Sequence, residues 1–350
     1  MGIYRFLLAY CVVVEHLAEG VPYVSHTGMF AVFGFYVLSG YLITRVLRDV
    51  YGFAFVPFWS NRLLRLYPPY FLLFLFGLAL IFGTSHAAEF FPAVWKSRPE
   101  LSDWIGLITI FPMGISPMNW SFRPVPSIWS VGVELLNYAV LYMAVARHKH
   151  IALLVAMAAA IYHGYSLWHG DDLSARYFPF HAALLPFAFG ALIYFYTHSS
   201  DARISPRTAL LLCVPMIVNG ALAGLLGGVQ HTPLFETLFY LNLAFQCMAV
   251  IALALMTRAP FPRLDKLLGD LSYPVFLCHW LVGYALVITF FPGQSRGIGL
   301  MTATLVASTV VAYIVCRLQD TVIEPLRLRI RTNASTGHRT LDAKMELART

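Results

Sequence analysis

Charge is what this chain of 350 residues has least of: Asp, Glu, Lys and Arg together make up 12% of it, against roughly 25% in a soluble domain. With 59% of its residues hydrophobic, water is not its main solvent. Cysteine is scarce as well. The five, Cys11, Cys213, Cys247, Cys278 and Cys316, fall inside apolar runs and show neither a CxxC pair nor the spacing of metal ligands. They read as small core residues, and no metal is expected. No stretch is long and polar enough for a separate soluble domain, and no repeat of solenoid period recurs. The first apolar run has no basic segment ahead of it and no A-x-A pattern after it, so it is expected to be a retained span and not a signal peptide.

What is present is a succession of apolar runs. About 20 apolar residues cross the hydrocarbon core as a helix, and ten candidates can be placed, at Ile3–Leu17, Gly28–Leu47, Pro68–Phe82, Ile128–Ala146, Ile151–Trp168, Phe180–Tyr196, Ala209–Leu226, Leu234–Met256, Tyr273–Phe291 and Ile298–Cys316. Pro186 and Gly190 interrupt one of them and Pro215 another, which is tolerated where neighbouring helices satisfy the freed backbone. The expected fold is all-α, a polytopic transmembrane helical bundle of about ten spans over residues 1–326. A polar, mixed-charge tail over 327–350 is expected to be mobile or surface-lying. The connection from Ser85 to Pro126 is too apolar for a flexible linker and is expected to pack on the outer face or re-enter the membrane.

Alternate connections divide the Lys and Arg residues unevenly. Eighteen fall on one side, including Arg45, Arg48, Arg62, Arg65, Arg147 and those of the tail, and five on the other (Lys96, Arg98, Arg123, Arg176, Arg296), with Arg5 at the membrane edge. Positive charge stays inside, so both termini are expected in the cytoplasm. The net charge of +7 belongs to that topology signal and does not suggest nucleic acid as a partner.

Ionisable side chains within a span are costly and are functional candidates by default. Arg5 and His16 lie eleven residues apart in the first run, nearly three whole turns, so they share a face with about 16 Å of rise between them. The bland reading is an arginine snorkelling to headgroups and a histidine capping the outer end. Arg62 and Arg65, at i and i+3 in FWSNRLLRLYPPY, share a helix face at the cytoplasmic boundary. Guanidinium forks match phosphate geometry, although charge alone is explained equally well by topology. Ser130 and Glu134 in PSIWSVGVELLNY stand at i and i+4 near the outer end of the fourth run, where the alternative is a structural hydrogen bond between helices. A lone membrane histidine such as His279 is more often a packed hydrogen-bonding group than a catalyst. Glu15, beside His16, points about 100° away from it. It either meets outer headgroup water or favours a protonated His16.

Taken in order, RFLLAYCVVVEH, FYVLSGYLIT, NRLLRLYP, WSVGVE and LSYPVFLCH resemble the motifs of the acyltransferase-3 family of polytopic membrane enzymes. The resemblance runs from Arg5 to His279. It departs before LSG, where relatives show a glycine pair and this chain has Gly28 with Ala31. The resemblance implies a membrane O-acyltransferase. It takes an acyl group, usually acetyl from acetyl-CoA on the cytoplasmic side, and places it on a hydroxyl of an extracytoplasmic sugar or glycolipid. It also implies that Arg5 and His16 form the family's R-x10-H motif, Arg62 and Arg65 its RxxR, and Ser130 and Glu134 its SxxxE. On that reading His16, Glu134 and Ser130 are catalytic, and Arg5, Arg62 and Arg65 bind the acyl-CoA. Membrane lipid is the other partner, and the inner membrane of a bacterium is the expected location. His16 is then the expected general base, Glu134 orients it or the acceptor, and all three catalytic groups are expected to share one cavity. A covalent acyl carrier at Ser130 or His16 is a second mechanism. A transporter or channel is the alternative class, because intramembrane Arg, His and Glu also mark transport pathways, and a non-catalytic membrane scaffold is a third.

Overall fold

A computed structural model describes residues 1–18, 21, 24–95, 99–226, 232–294 and 296–334. Each apolar run is a helix. In chain order the helices are α1 (Gly2–Leu17), α2 (Thr27–Val46), α3 (Phe55–Phe82), α4 (Ala87–Phe90), α5 (Pro92–Trp95), α6 (Leu101–Thr109), α7 (Ile128–Val140), α8 (Lys149–His169), α9 (Leu173–Tyr177), α10 (Phe180–His198), α11 (Pro206–Leu226), α12 (Pro233–Leu255), α13 (Pro262–Thr289) and α14 (Ile298–Val322). One π-helical turn each extends α2 and α7. Nine of these helices are long and apolar enough to cross a membrane, and α1, at 16 residues, is shorter. Among the described residues there is no strand, only an isolated bridge between Ile204 and Met256.

α2 and α13 are the most enclosed of the long helices, and α1 packs against both. The outer helices turn large apolar side chains outward: Leu72, Leu75 and Phe76 on α3, Leu210, Leu211, Ile217 and Val218 on α11, Val306, Val310 and Ile314 on α14. That arrangement is costly in water and neutral in hydrocarbon. Between helices the driving force is close packing, and small residues supply it. A Cβ on Gly40 of α2 would strike the Phe187 carbonyl of α10, and one on Gly190 of α10 would strike the Val37 carbonyl of α2. The two backbones therefore meet with no side chain between them.

Polar groups tie the helix ends. Asp265 at the start of α13 accepts the Ile3 amide of α1 at 3.0 Å. Glu15 accepts the Gly28 and Met29 amides at 2.5 and 3.0 Å, so the carboxylate caps the first turn of α2. Its partners are therefore the amides of a neighbouring helix. Pro274 inside α13 leaves the Asp270 carbonyl without its helical donor, and Cys316 Sγ of α14 takes that place at 3.4 Å.

The connection after α3 folds back along it. Tyr70 donates to the Leu107 carbonyl at 2.8 Å and Tyr67 to the Thr109 carbonyl at 2.5 Å. Tyr67 lies fifteen residues from the Phe82 end of α3, roughly 22 Å along the helix, so α6 descends beside α3. The returning chain passes Gly114 against Gly132 of α7, backbone on backbone. The tail begins as a helix: residues 324–334 are helical and mostly exposed, as a surface-lying stretch would be, with Asn61 Nδ2 donating to the Arg327 carbonyl at 3.1 Å, and residues 335–350 lie outside the described part.

Candidate active site

A cavity of about 270 Å³ opens between α1, α2, α3, α7, α13 and the helical residues 324–334. Arg5 from α1, Arg62 and Arg65 from α3 and the arginines of residues 324–334 line it, together with Ser39 from α2 and Ser130, Glu134 and Tyr138 from α7. The helical spacings expected from sequence are what bring these groups inward. Arg62 and Arg65 share one face of α3, and Glu134 follows Ser130 by a turn on α7. Arg5 lies within electrostatic reach of Arg65, Tyr138 and Glu134.

The Glu134 carboxylate is held from two sides. Ser39 Oγ donates to Oε1 at 2.6 Å, and the Tyr138 hydroxyl donates to the same oxygen. Ser130 Oγ is engaged elsewhere, donating to the Ser127 carbonyl at 3.0 Å in the first turn of α7. Ser39 and Tyr138 were not singled out from the sequence. Tyr138 could have been, because it continues the Ser130–Glu134 spacing by one more turn; Ser39 sits in FYVLSGYLIT, and nothing in that string says that it meets a carboxylate of α7.

His16 departs from expectation. It shares α1 with Arg5 but does not line the cavity. Phe276 lines the cavity, the His279 ring packs 6.3 Å from the Phe276 ring, and the His16 ring lies 5.5 Å from that of His279 with the planes parallel to within 2°. The expectation that Ser130, Glu134 and His16 share one cavity meets a cavity lined by Ser130 and Glu134 but not by His16, which is linked to its Phe276 wall through the His279 ring. His279 Nδ1 meets the Phe276 carbonyl at 2.7 Å, which Ser127 Oγ also reaches at 3.0 Å, while His279 Nε2 is buried with no hydrogen-bond partner among the described residues. His279, read from sequence as a packing group, is therefore the immediate neighbour of His16. Trp280 completes the pocket at 4.8 Å from His16, with the Arg296 guanidinium 5.1 Å from the Trp280 ring. Among the described residues, no three His, Cys, Asp or Glu side chains gather as a metal site.

A family model described as an acyltransferase domain, that of the acyltransferase-3 family, matches residues 3–317. The chain belongs to the acyltransferase-3 family. It is also similar to BcsY of Komagataeibacter xylinus, which carries the provisional description of a membrane-bound transacylase. The two are 26% identical over 272 residues, which covers 72% of this chain and 66%, just under two thirds, of that protein. No solved structure matches. Family and fold agree: the acyltransferase-family match falls on a bundle of helices long and apolar enough to cross a membrane.

Proposed function

We propose that the protein is an O-acyltransferase of a bacterial inner membrane. It takes an acyl group, acetyl in the simplest case, from acyl-CoA on the arginine-rich cytoplasmic side and passes it to a hydroxyl of a sugar or glycolipid on the outer side. One observation carries the reading: a single cavity is lined both by a cluster of guanidinium groups and by a carboxylate fixed by two donors. Arg62 Nε is buried with no hydrogen-bond partner among the described residues, and a buried guanidinium with a free donor suits an anionic ligand. The BcsY description, a membrane-bound transacylase, agrees with transfer between two carriers.

Arg5, Arg62 and Arg65 hold the donor's phosphates, and the thioester lies along the cavity towards Glu134. A pantetheine arm of roughly 15–20 Å matches the Arg5–His16 rise. His16 takes the proton of the acceptor hydroxyl, whose oxygen forms the new C–O bond as the C–S bond breaks, and the proton is returned to the leaving thiolate. Glu134, anchored by Ser39 and Tyr138, and Ser130 orient the reacting groups.

The test is transfer of labelled acetyl from acetyl-CoA to glycan acceptors by the purified protein in vesicles, with the His16→Ala variant beside it. Transfer is expected for the parent protein, with a loss of about 100-fold or more in a folded His16→Ala variant. Substantial turnover in that variant removes His16 as the base, and no transfer or thioester cleavage by the parent overturns the donor assignment.

A further inference from the structure

Membrane spans alone do not line the arginine-rich cavity. Residues 324–334 continue as helix after α14, and Glu324, Arg327, Leu328 and Arg331 from this stretch line the cavity beside α3. The family match ends at residue 317, so these side chains stand outside the part of the chain that the family explains.

Arg327 is held in place. Its carbonyl accepts Asn61 Nδ2 at 3.1 Å, its Nη2 lies 3.5 Å from Asn61 Oδ1, and its Nη1 donates to Glu324 Oε2 at 2.5 Å. Its Nε is buried with no hydrogen-bond partner among the described residues. Arg327 is one-fifth exposed, whereas Arg331, one helical turn on, is exposed at the rim. The cavity lining carries five arginines and two carboxylates, Glu134 and Glu324. An excess of cations converging on one space is costly without an anion to share. Burial, with the neighbouring Arg65 and Arg62 cations, lowers Arg327 to about 10 despite Glu324.

We propose that this post-span helix is part of the donor site, with Arg327 and Arg331 binding phosphate groups of the nucleotide end of acyl-CoA. Glu324 grips Arg327 until the ligand's phosphate replaces it. The proposal rests on the acyl-CoA reading above and extends it: the spans hold the thioester arm, and a helix beyond them recognises the nucleotide. A lipid headgroup offers the same phosphate chemistry, so the test separates the two sources.

The full chain is placed in nanodiscs of neutral phosphatidylcholine, with and without phosphatidylglycerol. Dissociation constants are measured for acetyl-CoA, 3′-dephospho-acetyl-CoA and S-acetylpantetheine. Arg327→Ala and Arg331→Ala are each expected to weaken acetyl-CoA about 10-fold or more, the loss of one charge-assisted contact, and to leave S-acetylpantetheine nearly unchanged. Glu324→Gln is expected to tighten acetyl-CoA, since it removes a like charge from the phosphate site. Arg65→Ala serves as reference. If it weakens acetyl-CoA while Arg327→Ala and Arg331→Ala bind as the parent does, the helix is not part of the donor site and the cavity reading stands. If the parent itself fails to bind acetyl-CoA, both fall. If the arginine variants alter phosphatidylglycerol-dependent thermal stability and not donor affinity, the phosphate is a lipid's and the proposal is overturned. Should Arg327→Ala not fold, the rim residue Arg331 carries the test.

Discussion

Replacing Glu134 by glutamine separates chemistry from binding. The carboxylate oxygen Oε1 takes hydrogen bonds from Ser39 and Tyr138, and a glutamine side-chain oxygen can accept both. The frame around the residue should therefore survive, at a cost of about 1 kcal/mol for the turned amide. What is lost is the negative charge in a cavity of about 270 Å³. If that charge orients or polarises the reacting groups, kcat falls by about 10²–10⁴, equivalent to about 2.7–5.4 kcal/mol of barrier. Donor affinity behaves differently. Glu134 offsets Arg5, and its removal leaves the arginine cluster more attractive to phosphate, so the dissociation constant of acyl-CoA should hold or fall slightly. The assay is steady-state turnover with an independent titration of donor, on protein whose unfolding temperature matches the parent's. A kcat within about threefold of the parent's would refute the reasoning, as would weakened donor affinity with kcat unchanged, which marks the loss of uniform binding.

Three further predictions concern the frame. Glu15→Ala removes the cap of α2 and should cost about 1–2 kcal/mol in thermal unfolding, with unchanged turnover per folded molecule; a specific loss of turnover would restore Glu15 as a partner of His16. Gly190→Ala pushes a methyl group into the α2 backbone and should destabilise by about 1–3 kcal/mol, seen as a lower unfolding temperature in detergent; an unchanged temperature would show that α2 and α10 can part freely. The buried pair Arg176–Glu236, 2.5 Å apart with the Arg176 side chain 2% exposed, predicts a loss of about 3–5 kcal/mol for Arg176→Ala alone and a smaller one for Arg176→Met combined with Glu236→Leu. A double-mutant cycle in thermal unfolding measures it, and additive losses would refute it.

Hydropathy read the bundle well because lipid-facing helices must be apolar over their whole crossing, and each run became a helix. It missed where helices carry charge: α3 begins at Phe55, and α13 at Pro262, upstream of the runs that marked them. The cavity was legible in part for a related reason. Arg62 with Arg65, and Ser130 with Glu134, are pairs within one helix, and helical period is written in the sequence. Ser39 against Glu134 and His279 against His16 are pairs between helices, decided by crossing geometry that no spacing records. Arg327 escaped notice because its surroundings are polar, and a surface-lying helix and a loose tail share that composition until one face finds a partner.

The seam between α2 and α10 bears on how such a protein can work at all. Gly40 and Gly190 bring two backbones into direct contact, and a joint of that kind is welded where a layer of side chains would be greased. Carriers that rock between two open states need surfaces that slip past one another. Here Ser39 rides on the welded helix, and its grip on Glu134 ties α7 to the same frame. On the function proposed above, the acyl group alone would cross, handed through a fixed window, and the downhill exchange of a thioester for an ester would supply the drive that a pump draws from a conformational cycle.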